Sequence, residues 1–179
     1  MRKILKSQTF AAAALTVFIA LPAQALYDPA PPEALSFIEG AWQGKLEYRY
    51  YQPPYKIVTL PTKLFVALRA PGEATLHYLF DDGPKKIVHS YDRMQIDLEK
   101  KTLTFGGLKP EDTTVSNIVS SKNADGVLEL VAERDAETKA GVELVRYQLR
   151  LGKNEFELQK HSGAKGSEVE FRNKYLFRR

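Results

Sequence analysis

From Gly40 to Tyr50 the chain alternates with a period of two. Trp42, Leu46, Tyr48 and Tyr50 share one parity with Gly44, and Gln43, Lys45, Glu47 and Arg49 share the other. That is the pattern of a strand with one buried and one wet face. The same alternation recurs over 56–69, where Val58, Leu60, Leu64, Val66 and Leu68 are in phase, and over 73–80, where Leu76, Tyr78 and Phe80 are. Further runs fall at 86–97, whose faces are ambiguous, 102–106, 113–121, 126–133, 142–151, 155–160 and 168–177, the run at 113–121 being the weakest. Turn chemistry separates them: Pro53-Pro54, Pro71-Gly72, Asp81-Asp82-Gly83-Pro84, Asn123-Ala124-Asp125-Gly126 and Gly152-Lys153-Asn154. The expected fold is all-β, an antiparallel up-and-down β-barrel of about ten strands with a short N-terminal helical turn. That turn falls over 32–38, where Leu35, Phe37 and Ile38 supply an apolar side and Gly40 ends it. Closure is favoured because an open meander leaves two unpaired edges.

The N-terminus reads as a targeting segment. Arg2, Lys3 and Lys6 precede an apolar stretch from Phe10 to Leu21, and Ala23-Gln24-Ala25 fits the small-residue cleavage rule. Residues 1–25 are expected to be a signal peptide cleaved after Ala25, and 26–179 a single barrel domain in the periplasm or outside the cell. The apolar stretch is shorter than the roughly 20 residues of a membrane span, so the mature chain is expected to have none.

Charge and cysteine content then exclude two classes. The whole chain has 26 basic and 22 acidic residues, net +4. Removing the three basic residues of the leader leaves 23 against 22, net +1. The basic character therefore belongs largely to the leader and gives no support to nucleic-acid binding. The chain has no cysteine, so an exported fold of this kind must be held by burial and strand pairing.

Gly40-Ala41-Trp42 at the head of the first strand resembles the Gly-x-Trp opening of the calycins: lipocalins, fatty-acid-binding proteins and nitrobindin-like barrels. The segment Phe171-Arg172-Asn173-Lys174-Tyr175-Leu176-Phe177-Arg178 resembles their last strand with its arginine. The number of runs is closer to the ten-stranded members, and the whole pattern is similar to secreted bacterial lipocalin-like proteins. The resemblance implies barrel closure around Trp42, with Arg172 or Arg178 packed on the indole. The chain departs from the family in having no disulfide and no second lipocalin motif, and Pro53-Pro54 stands where portal helices would lie. Ligand class therefore does not carry over.

The inward parity is rich in tyrosine: Tyr48, Tyr50, Tyr78, Tyr147 and Tyr175. A buried tyrosine needs a partner for its hydroxyl, so these rings suit an amphipathic pocket or else open into water at the barrel mouth. The expected wall of a ligand site is Leu46, Tyr48, Tyr50, Leu64, Val66, Leu76 and Tyr78. No lysine or arginine faces inward on those runs, so a neutral or weakly charged, apolar or amphipathic ligand is expected. The histidines, His77, His89 and His161, have no metal-ligand spacing, and an axial haem ligand would fall to His161. No Gly-x-Ser-x-Gly elbow is present. No catalytic set, cofactor or metal site is therefore expected. The segment Glu133 to Lys139 reads as a solvated loop, and Arg146, Gln148, Arg150, Arg172 and Lys174 as an outer stripe paired with glutamates. The leading reading is a ligand-binding barrel. The alternatives are an envelope interaction protein with a filled barrel, or an enzyme on such a barrel. Ligand identity and oligomeric state are not set by the sequence.

Overall fold

A computed structural model describes residues 35–179; the leader and its cleavage site lie outside the described residues. Ten antiparallel strands follow one another around a closed barrel: β1 (Gly40–Arg49), β2 (Ile57–Ala70), β3 (Glu73–Asp81), β4 (Ile87–Asp97), β5 (Thr102–Gly106), β6 (Thr113–Ala124), β7 (Val127–Thr138), β8 (Gly141–Leu151), β9 (Glu155–Ala164) and β10 (Glu170–Arg178). β1 pairs with β2 on one side and with β10 on the other, so no edge is left open. Gly44 makes the closing seam possible: a Cβ there would sit 1.9 Å from the carbonyl oxygen of Leu176 on β10.

The expected N-terminal helical turn is corrected. Among the described residues there is no α-helix, only two three-residue 3₁₀ turns, Ser36–Ile38 and Pro110–Asp112. The first makes only the bonds Ile38 N–H to Leu35 C=O at 3.0 Å and Glu39 N–H to Ser36 C=O at 3.4 Å. Glu39 is already extended, and Gly40 at φ +113° swings the chain into β1. Residues 32–34 of the expected turn lie outside the described residues. No helix among the described residues is long and apolar enough to cross a membrane.

The up-and-down order puts alternate strand ends together. At one end lie the start of β1, the ends of β8 and β10 and the start of β9, and here the barrel is packed solid. Trp42, Leu64, Leu76, Met94, Leu103, Leu151, Phe156 and Phe177 are all buried. Leu35, just before the 3₁₀ turn, and Ile38 within it cap this end, both fully buried, and the indole Nε1 donates to the Ile38 carbonyl at 2.8 Å. The ring of Phe156 meets Trp42 edge-on at 6.2 Å, and Phe177 meets Phe156 in the same way at 5.9 Å.

Two strand features depart from the simple period. β7 runs on to Thr138, so the expected loop at 133–139 is largely strand: Glu133 pairs with Arg146 and Arg134 with Val145 on β8. β10 carries a bulge between Phe171 and Asn173. The extra residue shifts the alternation, so Phe171 lies opposite outward His161, whereas Tyr175 and Phe177 lie opposite inward Leu158 and Phe156.

Candidate functional site

At the other end of the barrel the inward positions change character. The rows there come from the end of β1, the start of β4 and β8, and the far parts of β7, β9 and β10. Asp92 on β4 marks the boundary: it lies opposite Leu76 of the packed end and shares the inward face with Tyr78 at mid-barrel. On β7 the inward residue after Ala132 is Arg134. On β9, Lys160 lies opposite Tyr147 of β8, and Ser162 opposite Val145. On β10 the bulge brings Arg172 to the inner side, where its Nε donates to the buried Ser162 hydroxyl at 2.7 Å. Asn173 follows, paired with Lys160.

These polar groups are desolvated and incompletely matched. Burial pushes the Asp92 carboxyl up to about 6. It lies close enough to three inward phenols, Tyr78, Tyr147 and Tyr175, for its charge to add to the burial that raises their pKa values. The Tyr78 and Tyr175 rings meet at 4.9 Å. Lys160 sits 5.9 Å from the Tyr147 ring centre. Its pKa is lowered first by burial and then by Arg134 and Arg172, against a smaller opposing effect of Glu143. The Tyr78 hydroxyl, Arg134 Nε and Asn173 Oδ1 are buried without a hydrogen-bond partner among the described residues. Above them, the segment joining β1 to β2 carries exposed Tyr50, Tyr51 and Tyr55, with the Arg172 guanidinium 5.5 Å over the Tyr51 ring.

The outer face is organised differently. Arg146 meets Glu133 at 2.6 Å, Lys174 meets Glu157 at 2.8 Å, and Arg150 pairs with Glu129 and Glu155. Arg172 does not belong to that stripe, because the bulge turned it inward. All three histidines are on the outside. His77 Nε2 lies 3.0 Å from His89 Nδ1 and stacks on Tyr91 at 4.1 Å, and His161 shares its outer row with Arg146. No imidazole is placed to ligate a group inside the barrel.

The seven residues expected to form one wall are distributed along the whole barrel. Leu64, Val66 and Leu76 lie in the packed end, with Leu64 directly opposite Trp42. Tyr78 is fully buried in the ring cluster at mid-barrel. Leu46 and Tyr48 are half-buried towards the polar end, and Tyr50 lies beyond β1 in the connecting segment. The guanidinium over Trp42 is that of Arg179, 4.0 Å from the ring centre. Arg178 points outward to Glu155, and Arg172 lies at the opposite end of the strand. Period-2 reading missed Arg134, because a dense run of charge looked like a loop. It missed Arg172 because one extra residue inverts parity. It also left the two faces of 86–97 undecided, and with them Asp92.

The crystal structure of Rv2717c from M. tuberculosis superimposes on this barrel with a TM-score of 0.57, covering 83% of this chain and 98% of that one at 16% sequence identity. That is a likeness of fold alone. No protein-family model and no curated protein matches the sequence.

Proposed function

We propose that the protein is an exported, calycin-like barrel that takes a small amphipathic ligand through its polar end. One observation carries this reading: inside that end, Asp92 and Lys160 are partly removed from water with no ion pair, and Arg134 Nε and Asn173 Oδ1 are buried without a hydrogen-bond partner among the described residues, although the Arg134 side chain also reaches the Tyr147 hydroxyl. Uncompensated burial of polar groups costs stability, and such groups collect where a ligand supplies the missing contacts. The exposed tyrosines of the β1–β2 connection form a rim of the amphipathic kind that suits such an opening. The ligand's apolar part would meet the Tyr78, Phe80 and Tyr175 rings, which lie within 6.4 Å of one another. Export rests on the leader-like character of residues 1–25.

Titration with Nile red, a neutral environment-sensitive dye, tests the reading. Its fluorescence should rise on mixing and fall when dodecanol displaces it. Ala136→Trp, which adds bulk at an inward site of the polar end, should abolish the signal without lowering Tm. No dye binding at tens of micromolar would remove the proposal.

A second reading, a filled barrel that presents its outside to a partner protein, is favoured by the apolar stripe on β2–β4. Phe65, Ile87 and Tyr91 are 43%, 51% and 45% exposed there.

A further inference from the structure

We infer that the polar end holds a phosphate-class oxyanion, the head group of the amphipathic ligand, on Arg134, Lys160 and Arg172. The inference rests on the binding reading above and names what that site recognises. The three cations come from three strands, β7, β9 and β10, and all project to the inside. None of them forms an ion pair among the described residues, whereas Arg146, Arg150 and Lys174 on the outer face of β8 and β10 all do. The contrast lies within single strands. On β10, Lys174 meets a carboxylate and Arg172 meets only the Ser162 hydroxyl and the face of Tyr51.

Charges of one sign gathered in a half-buried space repel, and that repulsion is relieved by an anion entering between them. Burial is the main cause that lowers the Lys160 pKa, Arg134 and Arg172 lower it further, and Glu143 opposes them more weakly than either guanidinium. Asp92 lies on β4, away from the three strands that carry the cations, and forms no ion pair among the described residues. One donor of this group is left open: the Arg134 Nε–H of the guanidinium is buried and unsatisfied among the described residues. Asn173 stands beside Lys160, and its Oδ1 is a buried acceptor without a partner, which suits a hydroxyl of the ligand and not the anion's oxygens.

Donors that converge from three strands suit a tetrahedral oxyanion. A phosphate monoester offers three terminal oxygens in different directions and up to two charges near neutral pH. A carboxylate offers two oxygens in one plane and a single charge. The apolar remainder of the ligand would run towards Tyr175 and Tyr78.

Calorimetric titration of the intact protein with dodecyl phosphate, dodecanoate, dodecanol and inorganic phosphate, all below micellar concentration, reads the head group at constant tail. Dodecyl phosphate should bind at least about tenfold tighter than either other dodecyl compound, with affinity falling as salt rises. Lys160→Met keeps the packing of the stem and relieves repulsion, so it should fold. It should weaken dodecyl phosphate about tenfold and leave dodecanol unchanged. Arg134→Gln should act in the same direction, and serves if Lys160→Met fails to fold. Dodecanoate binding as tightly as dodecyl phosphate, or unchanged dodecyl phosphate affinity in both variants, would overturn the assignment. Equal affinity for inorganic phosphate would overturn the head-group source and assign the site to the free anion. Binding of dodecanol and Nile red without preference for phosphate would end this inference and leave the binding reading standing. Failure of every dodecyl compound and of the dye would end both.

Discussion

Trp42 and Asp92 occupy the inside of the same barrel under opposite conditions. Around Trp42 every requirement is met: the indole N–H has its carbonyl, the ring has Phe156 on its edge and Arg179 on its face, and Leu35 and Ile38 cover the end. Around Asp92 requirements are left open: a desolvated carboxylate, crowded phenols and a separate group of like-charged cations across the barrel. The first end is built for stability. The second accepts instability that a folded chain has no structural reason to keep, a pattern found where a protein's interior must meet something else.

The sharpest test of the packed end is Trp42→Ala. It removes a fully buried ring and a buried hydrogen bond, and should cost about 3–5 kcal/mol in chemical denaturation. A loss under about 1 kcal/mol would show that this end does not hold the barrel together. Gly44→Ala attacks the seam between β1 and β10. With backbone 1.9 Å from the new Cβ, the strands must part, and a loss of about 1–3 kcal/mol or more is expected. Unchanged stability would mean that the barrel closes with slack.

At the polar end the sign reverses. Asp92→Asn should raise stability at neutral pH by about 1–2 kcal/mol, allowing for partial exposure of the carboxyl. Burial lifts the folded-state pKa from 3.8 to about 6. The folded protein therefore holds a proton that the unfolded chain releases across that interval. Stability of the natural protein should fall as pH rises from about 4 to about 6 and stay lower above it. The advantage of the asparagine variant should vanish below about pH 4, as followed by melting temperature against pH. A destabilised variant at neutral pH would show that Asp92 is matched after all and would remove the contrast between the ends. The smallest effect expected is that of Arg179→Ala. It takes an exposed guanidinium off the Trp42 face and away from the Glu39 carbonyl, for about 0.5–1 kcal/mol.

How far the sequence could be read depends on the range of the interactions involved. Alternation in residues 40–50, 57–70 and 73–81 and the turn chemistry between them act over a few residues, and they outline the strands there and the wet and dry faces of each. The short N-terminal turn was less legible. Whether Ser36–Ile38 winds as α or 3₁₀ depends on how soon Gly40 must join a strand paired to β2 and Leu35 must reach the core. The polar end was the least legible part. A single extra residue on β10 inverts the side-chain direction of Arg172, and a bulge arises from pairing with β9, not from the local run of residues. Arg134 lies in a charged stretch that becomes strand only because β8 lies beside it. Asp92 meets Tyr78 across the β3–β4 hairpin, but it meets Tyr147 and Tyr175, on distant strands, only because the barrel closes. Local periodicity thus determined where the strands run, since backbone and side-chain alternation are properties of neighbours in sequence. Register, bulge and closure decided which charges share the interior, because those depend on strands that meet only after the chain has folded.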